Sequence, residues 1–338
     1  MYTLLLGLIT LIMVTEALQP LRKKEKEPSS DWTCMNIKST PVTSSGSVVY
    51  LKENCTNEAG VSPNLVVNSL SIDLTASDIK IVPGVSLDTQ NPLLPIGKMA
   101  KTDSSKKLIA GINGGYFWRT DITPLWLDDV CRGKTRKQAE TAANSENANY
   151  GIHDGAIIID GATVGSNCDC WGYSRPAVVQ TTGGNSDWSI SVLSRGEQPK
   201  GAAAALGAGP NLVSFDGIKS FIDIPSDDDN INIHEPPANT AIGLLIDSAT
   251  GKAVKAIMVT TDGSDECGRL DSSCGINAPN FASLLLNHFK TTVAMSMDQG
   301  GSTTMWIDGA DSTNGDGVVS YAGGGARAVA NGLFIQLV

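Results

Sequence analysis

The chain has 338 residues, of which 41% are hydrophobic and 18% charged, and its formal net charge is −10. This length and composition allow a large core, in one big domain or two modest ones. The acidic balance argues against nucleic acid or an anionic membrane as the main partner, because both are themselves negatively charged. The 35 glycines and the 5% aromatic content indicate many turns and strands rather than long helices.

The N-terminus has the pattern of a secretory signal peptide. Its apolar run, residues 4–14, is too short to span a bilayer. We assign residues 1–19 to the signal peptide, although the positive n-region is missing and a buried N-terminal strand is the alternative. Residues 20–64 are predicted to be a leader and a disulfide-linked extension, and residues 65–338 the remaining single domain. We therefore expect a secreted or secretory-lumen protein without stable membrane insertion.

The seven cysteines fit this compartment, since secreted chains usually pair them. Cys267 and Cys274 are close enough in the sequence for a disulfide that closes one loop, and a Cys34–Cys55 disulfide is plausible. The other three cysteines are an odd number, so one of them would stay unpaired. We expect no metal site and no cofactor, because the three histidines are scattered and no Cys-x-x-Cys pair occurs. Asn54, in Asn-Cys-Thr, matches the glycan acceptor pattern.

Strand patterns recur along the chain in residues 68–84, 106–117, 155–165, 211–221 and 240–263. Asp160-Gly161 and Asp216-Gly217 are predicted hairpin turns. Residues 119–150 lack a strand pattern and are predicted to be a long loop, of the kind that often acts as a lid. The acidic stretch 224–237 is predicted to be a solvated loop. Residues 308–317 are similar to a calcium loop but lack its final acidic ligand.

One helix is predicted, at residues 277–290, with Asn277 as its cap and Pro279 in its first turn. A strand precedes it and another follows it, which predicts a right-handed parallel crossover. The predicted fold class is α+β, with mixed sheets, many hairpins and at least one parallel strand-helix-strand unit.

This crossover would bring two carboxylates together. The strand before the helix ends at Asp262 and the strand after it at Asp298, so both should lie at one carboxyl edge of the sheet. Such a pair suits acid–base catalysis, and glycoside hydrolysis is the reaction that most often uses it. The alternative is that each aspartate caps a turn.

Glycine-rich turns lie near these acids in the sequence. Gly300 and Gly301 follow Asp298, and Ser302 and Thr303 come next, so that backbone N–H groups and hydroxyls could hold a phosphate or a sugar. Asn113-Gly114-Gly115-Tyr116 offers similar groups, with Tyr116 either a sugar platform or an ordinary core residue. The chain has no G-x-S-x-G, G-x-G-x-x-G or P-loop, which argues against serine nucleophiles and nucleotide cofactors.

The motifs INGGYF, GAGPNLV, TAIG, MDQGGSTTMWIDG and RAVANGLFI occur in an order that resembles the phosphodiester glycosidase family. The resemblance covers roughly residues 65–338. It implies removal of N-acetylglucosamine from a sugar phosphodiester, which leaves a phosphomonoester. It also implies a catalytic pair and a set of substrate-binding positions. These are Asp298 and Asp262 for catalysis, and Asn113, Gly114, Gly115, Tyr116, Gly209, Asn239, Gly300, Gly301, Ser302, Thr303, Arg327 and Asn331 for substrate binding.

Three positions depart from the family pattern. Asn239 and Ser264 stand where the family usually has arginines, and Gln299 replaces a glycine. Loss of two buried arginines would weaken phosphate binding by about 1–3 kcal/mol each. Arg327 could still pair with a phosphate. A secreted protein that binds glycan or phosphate without turnover is therefore the second hypothesis, and a calcium-dependent structural module is a distant third.

Overall fold

The computed structural model describes residues 31–57, 65–86, 93–117, 153, 155–164, 175–193, 199–218, 238–263, 275–311, 316–322 and 326–338. The predicted signal peptide and the loops at 119–150 and 224–237 lie outside these residues, as do Cys267 and Cys274. Within the described part of the chain, no helix combines the length and apolar character needed to cross a bilayer.

The described strands form three sheets. Sheet I has the spatial order β1 (Trp32–Pro41), β2 (Val48–Asn57), β3 (Leu65–Asp73), β14 (Ala253–Thr261), β13 (Asn239–Ile246), β15 (Val293–Ser296), β11 (Asn211–Ser214) and β12 (Gly217–Ile218). Sheet II has the order β17 (Val318–Tyr321), β16 (Thr304–Ile307), β5 (Leu108–Asn113), β18 (Asn331–Leu337) and β4 (Ile79–Val85). Sheet III has the order β7 (Ala162–Thr163), β6 (Ile157–Ile159), β10 (Ala204–Gly207), β8 (Arg175–Gln180) and β9 (Trp188–Leu193).

The predicted α+β fold class is wrong, because every pair of neighbouring strands in the three sheets is antiparallel. The two strands around the predicted helix, β14 and β15, are not neighbours, since β13 lies between them and pairs with both. A short turn joins β13 to β14, which makes those two strands partners, and β15 then adds to the other edge of β13. The described residues contain two helices, α1 (Ile96–Met99) and α2 (Ala278–Asn287).

The predicted hairpins are present, with one shift. Asp160 and Gly161 turn between β6 and β7 with φ of 50° and 78°, as the Asp-Gly pair predicts. In the second hairpin Ser214 pairs with Gly217, so the turn lies at residues 215–216, one position earlier than predicted.

Inward-facing side chains of all three sheets share one core. Alternation along each strand places apolar residues on this inner face, and burial of their surface is the main favourable term in folding. The largest cluster includes Leu70, Ile112, Leu206, Met258 and Met305. Sheets I and II therefore face each other across a packed apolar layer.

Helix α2 covers the outer face of sheet I. It begins as predicted, because the Asn277 side chain accepts a hydrogen bond from the backbone N–H of Asn280. Phe281, Leu284 and Leu285 are buried against the sheet. The helix therefore contributes packing behind the sheet and does not cross between adjacent parallel strands.

The N-terminal strands β1 and β2 continue sheet I without interruption, since β2 pairs with β3 along its length. The Cys34–Cys55 disulfide joins β1 to β2, as predicted. The domain boundary at residue 65 stays a prediction. Because β2, β3, β14 and β13 are neighbours in sheet I, side chains at paired positions on these four strands lie on the same face of the sheet.

Candidate active site

A polar row crosses sheet I where its apolar inner face ends. It consists of Lys52, Asn68, Thr260 and Thr240, which are cross-strand partners on β2, β3, β14 and β13. On β3, β14 and β13, the next residues on the same face, two positions toward the core, are the apolar Leu70, Met258 and Ile242. Because side chains alternate with a period of two, this row faces sheet II at the rim of the core. We call it the polar rim.

Asp262 follows β14 at this rim. Its Oδ1 accepts a hydrogen bond from Ser320 Oγ at 2.8 Å and another from Asn68 Nδ2 at 3.2 Å. One donor comes from sheet II and the other from sheet I, so the carboxyl group lies between the two sheets. Burial raises the pKa of Asp262, and this outweighs the opposite effects of the two donors and the nearby Lys52 ammonium.

Asp298 follows β15 and is held by backbone contacts. Its N–H donates to the Gly114 carbonyl at 2.9 Å, and its own carbonyl accepts from Asn113 Nδ2 at 2.8 Å. The carboxylate Oδ1 accepts from the N–H of Gln299 at 2.9 Å. Because only β13 separates β14 from β15, the backbones of Asp262 and Asp298 lie roughly 10 Å apart at the same end of sheet I.

Asn113 is a structural link rather than an exposed ligand. It is fully buried, and its Oδ1 accepts from Thr240 Oγ1 at 2.7 Å and from the N–H of Thr304 at 3.0 Å. Together with its donation to Asp298, these bonds join β5, β13, β16 and the segment after β15. The predicted substrate role of this side chain stays a prediction, and the contact it makes with the Asp298 carbonyl holds that segment in place.

The two glycines after Asn113 allow a close backbone approach. The N–H of Gly114 donates to the Asn331 carbonyl at 3.0 Å, and the N–H of Gly115 donates to Asn331 Oδ1 at 2.6 Å. A Cβ at Gly114 would overlap Asn331 Oδ1, and one at Gly115 would overlap the Gly207 carbonyl. The glycines are therefore required by packing, independently of any ligand.

His153 lies beside this cluster. Its Nδ1 is 3.0 Å from Asn331 Nδ2, and burial lowers its pKa to about 4. The imidazole is therefore neutral at physiological pH, with Nδ1 accepting from the amide and the proton on Nε2. No informative motif surrounds His153 in the sequence, and only the fold brings it to Asn331.

Three other predicted binding residues also make internal contacts. Tyr116 is buried and its hydroxyl donates to the Gly209 carbonyl at 3.2 Å, which agrees with the core alternative. Asn239, which replaces a family arginine, is buried and donates from Nδ2 to the Ile276 carbonyl at 2.5 Å. Through these contacts the two side chains hold neighbouring backbone segments.

The glycine turn after Asp298 forms the outer part of the site. Residues 300–302 make one 3₁₀ turn that begins at Gly300 with a φ of 61°. Arg327 packs over Gly301, where a Cβ would come within 3.0 Å of Nη1. Ser302 and Thr303 are buried, and Thr303 Oγ1 has no hydrogen-bond partner among the described residues. A cation and a turn of backbone amides therefore lie next to Asp298.

Two further predictions concern positions away from this rim. The one close group of potential metal ligands in the described part of the chain is Cys34, Cys55 and His288, and its two sulfurs are bonded to each other. Glycosylation of Asn54 stays a prediction; the residue is half-buried within β2 and its Oδ1 is buried.

Sequence reasoning missed Asn68 and Ser320, which donate to Asp262, and Thr260, which donates to Ser320. Their signal was present as polar residues at inward positions of otherwise apolar strands. Such residues must find partners when buried, so a polar side chain inside a strand pattern marks a network. Which residues it joins depends on strand pairing.

Solved structures of distant relatives share this fold. The catalytic domain of zebrafish N-acetylglucosamine-1-phosphodiester α-N-acetylglucosaminidase, auto-inhibited by its pro-peptide, is 14% identical with a TM-score of 0.53, over 93% of this chain and 87% of that one. A putative exported protein from Burkholderia pseudomallei K96243 is also 14% identical, with a TM-score of 0.53 over 85% of this chain and 77% of that one. A hypothetical protein from Synechocystis is 15% identical, with a TM-score of 0.50 over 86% of this chain. This chain spans 62% of the Synechocystis protein.

No curated protein sequence matches the chain. The sequence model of the phosphodiester glycosidase family matches residues 106–336, which is more than half of the chain. This match includes both aspartates, the glycine turns and Arg327, and it confirms the family predicted from the motifs. The chain belongs to the phosphodiester glycosidase family.

Proposed function

We propose that this protein is a secreted glycosidase that hydrolyses a sugar-1-phosphodiester, with α-linked N-acetylglucosamine-1-phospho-sugar as the expected substrate class. The products are the free sugar and a phosphomonoester. The observation that carries the proposal is the pair of carboxyl groups, Asp262 and Asp298, at one end of sheet I beside a glycine turn and an arginine. The hydrolytic class rests on family membership.

The two acids have different surroundings, which suits different roles. Asp262 lies between the sheets and burial raises its pKa, so we assign it the role of the acid that assists the leaving phosphate oxygen. Asp298 lies at the end of its strand next to Gly300 and Gly301. We assign it the charged role, as the base that activates water or as the nucleophile.

Arg327 and the turn at residues 300–302 are the groups suited to the phosphate. A guanidinium can donate two parallel hydrogen bonds to phosphate oxygens. Gly301 carries no Cβ, so an anion can approach the backbone there, although the N–H groups of Gly300 and Thr303 already donate to the carbonyls of Ala238 and Gly300. Because its guanidinium lies against Gly301, Arg327 is the first residue to test for phosphate recognition.

The test is release of N-acetylglucosamine from a GlcNAc-1-phospho-sugar by the wild type and two variants. Asp298→Asn should abolish turnover, and Arg327→Gln should raise KM because it removes the phosphate contact. Ser71→Ala, on β3 away from the rim, is a control that should retain activity. Absence of turnover by the wild type across several sugar phosphodiesters would overturn the enzymatic proposal.

A second function is favoured by one observation. The family arginine position before TAIG is Asn239, and this side chain is buried and bonded internally, so it offers nothing to a phosphate. A secreted protein that binds glycan or phosphate without hydrolysis would fit that loss. Calorimetry would show binding of the sugar phosphodiester while product release stays at background. Any Asp298-dependent hydrolysis would exclude this alternative.

A further inference from the structure

We propose that Asn68 and Ser320 are positioning residues for Asp262, and that they direct its acid proton to Oδ2. This inference rests on the proposed function for its catalytic meaning. Asn68 lies in β3, outside the residues 106–336 that match the family. The N-terminal strands therefore complete the catalytic rim rather than only extending the sheet.

The first part of the network runs through sheet I. Tyr50 donates from its hydroxyl to Asn68 Oδ1 at 2.7 Å, and Asn68 Nδ2 donates to Asp262 Oδ1 at 3.2 Å. Tyr50 and Asn68 are buried, with exposed fractions of 4% and 0%. Because the Tyr50 hydroxyl occupies the Asn68 carbonyl oxygen, the amide is oriented with its NH₂ group toward the carboxyl group.

The second part crosses from sheet I to sheet II and returns to Asp262. Thr260 Oγ1 donates to Ser320 Oγ at 2.8 Å, and Ser320 Oγ donates to Asp262 Oδ1 at 2.8 Å. Thr260 and Ser320 are buried as well. Each hydroxyl in this chain has one direction in which to donate, so the Ser320 proton points at the carboxyl group.

Both chains end on the same oxygen. An oxygen that accepts two hydrogen bonds acts as the carbonyl oxygen of a protonated carboxyl group, so the acid proton resides on the other oxygen, Oδ2. The two donors also fix the plane of the carboxyl group. Proton transfer needs this orientation, because small errors in the position of a catalytic group are costly in rate.

Lys52 and Tyr50 on β2 are a charged and a titratable group that interact electrostatically with Asp262. The Lys52 ammonium favours the ionised carboxylate, whereas burial disfavours it. Burial and the negative charge of Asp262 both raise the pKa of Tyr50, so its hydroxyl stays protonated and remains a donor. Tyr50 therefore continues to donate to Asn68 while Asp262 titrates.

The experiment compares Asn68→Ala, Ser320→Ala and Tyr50→Phe with the wild type. The pKa of Asp262 is measured by ¹³C NMR of carboxyl-labelled aspartate, with Asp262→Asn identifying the signal. Removal of a donor destabilises the ionised form, so Asn68→Ala and Ser320→Ala should each raise this pKa by about 0.5–1 unit. Tyr50→Phe removes only the orienting hydroxyl, and its shift should be smaller and in the same direction.

Activity provides the second readout. The alkaline limb of the pH profile of kcat/KM should move to higher pH with the measured pKa, and kcat should fall about tenfold in Asn68→Ala, with KM changed less. Ser69→Ala is the matched control, because its side chain is buried on the opposite face of β3 and the Asp262 pKa should not move.

The outcomes separate this inference from the proposed function. If the wild type shows no turnover but the NMR shifts occur, positioning stands and the hydrolytic proposal fails. If turnover occurs and the Asp262 pKa is the same in Asn68→Ala, Ser320→Ala and wild type, the positioning proposal is overturned. Tyr50→Phe differs from wild type by one oxygen atom, and it tests the network even if Asn68→Ala fails to fold.

Discussion

Replacement of Asn113 by alanine should destabilise the protein strongly. The side chain is fully buried and makes three hydrogen bonds, to Thr240, to the N–H of Thr304 and to the carbonyl of Asp298. In Asn113→Ala these three groups would stay in place without their hydrogen-bond partner. Each unsatisfied buried group costs about 1–3 kcal/mol.

The losses are not fully additive, because the vacated space lets neighbours or a water molecule respond. We therefore expect the free energy of unfolding to fall by about 3–5 kcal/mol, against a total of about 5–15 kcal/mol for a typical domain. Urea unfolding followed by fluorescence measures the change through the midpoint at constant slope. Asn36→Ala, on the exposed edge strand, is the matched control and should change stability by less than about 0.5 kcal/mol.

A loss below about 1 kcal/mol in Asn113→Ala would refute this reasoning. It would mean that the three partners are satisfied in another way, and that Asn113 is not the link between β5 and the Asp298 segment. The same variant should lose glycosidase activity at temperatures where it remains folded, because the Asp298 backbone loses one of its two anchors.

Three further predictions concern His153, Gly115 and the Cys34–Cys55 disulfide. The pKa of His153 falls from its ordinary 6.5 to about 4 on folding, so its contribution is fully present above pH 6.5 and is lost as the pH falls toward 4. The free energy of unfolding, measured in urea, should therefore be about 3 kcal/mol lower at pH 4 than at pH 7 because of His153, and His153→Gln should remove this part of the difference. If the variant shows the same difference as the wild type, His153 is not buried as described. Gly115→Ala should lower Tm by 10 °C or more or prevent folding, because the new Cβ would overlap the Gly207 carbonyl, whereas a wild-type melting curve would show that the backbones are farther apart. Reduction of Cys34–Cys55, or its replacement by a serine pair, should cost roughly 3 kcal/mol for a loop closed across a separation of 21 residues, measured by urea unfolding with and without reductant.

Local features of the fold could be predicted from the sequence because their causes are local. The cap at Asn277 and the apolar face with Phe281 define helix α2 within about one turn of chain. Asp160-Gly161 adopts positive φ angles that this pair favours, whatever the rest of the molecule does. The Cys34–Cys55 disulfide was predicted as plausible because secreted chains usually pair their cysteines, and the structure confirms it.

Strand order was not predictable in the same way. A strand, a helix and a strand in succession favour a parallel crossover, and the chain contains that succession at β14, α2 and β15. The earlier hairpin between β13 and β14 places β13 between them instead, and every ladder becomes antiparallel. Both aspartates still reach one end of sheet I, because two strands that each pair antiparallel with β13 run in the same direction.

The roles of the polar site residues likewise depend partly on local sequence and partly on strand pairing. The sequence by itself determined that Asp262 and Asp298 end two strands, that glycines follow Asp298, and that the motif order is that of a glycosidase family. Only the tertiary structure decided that Asn113 and Asn239 are internal supports and that Asn68 and Ser320 contact Asp262. The physical reason is distance along the chain. Ser320 is 58 residues from Asp262 and Asn68 is 194 residues away, so their contacts depend on sheet pairing and packing that no local pattern encodes.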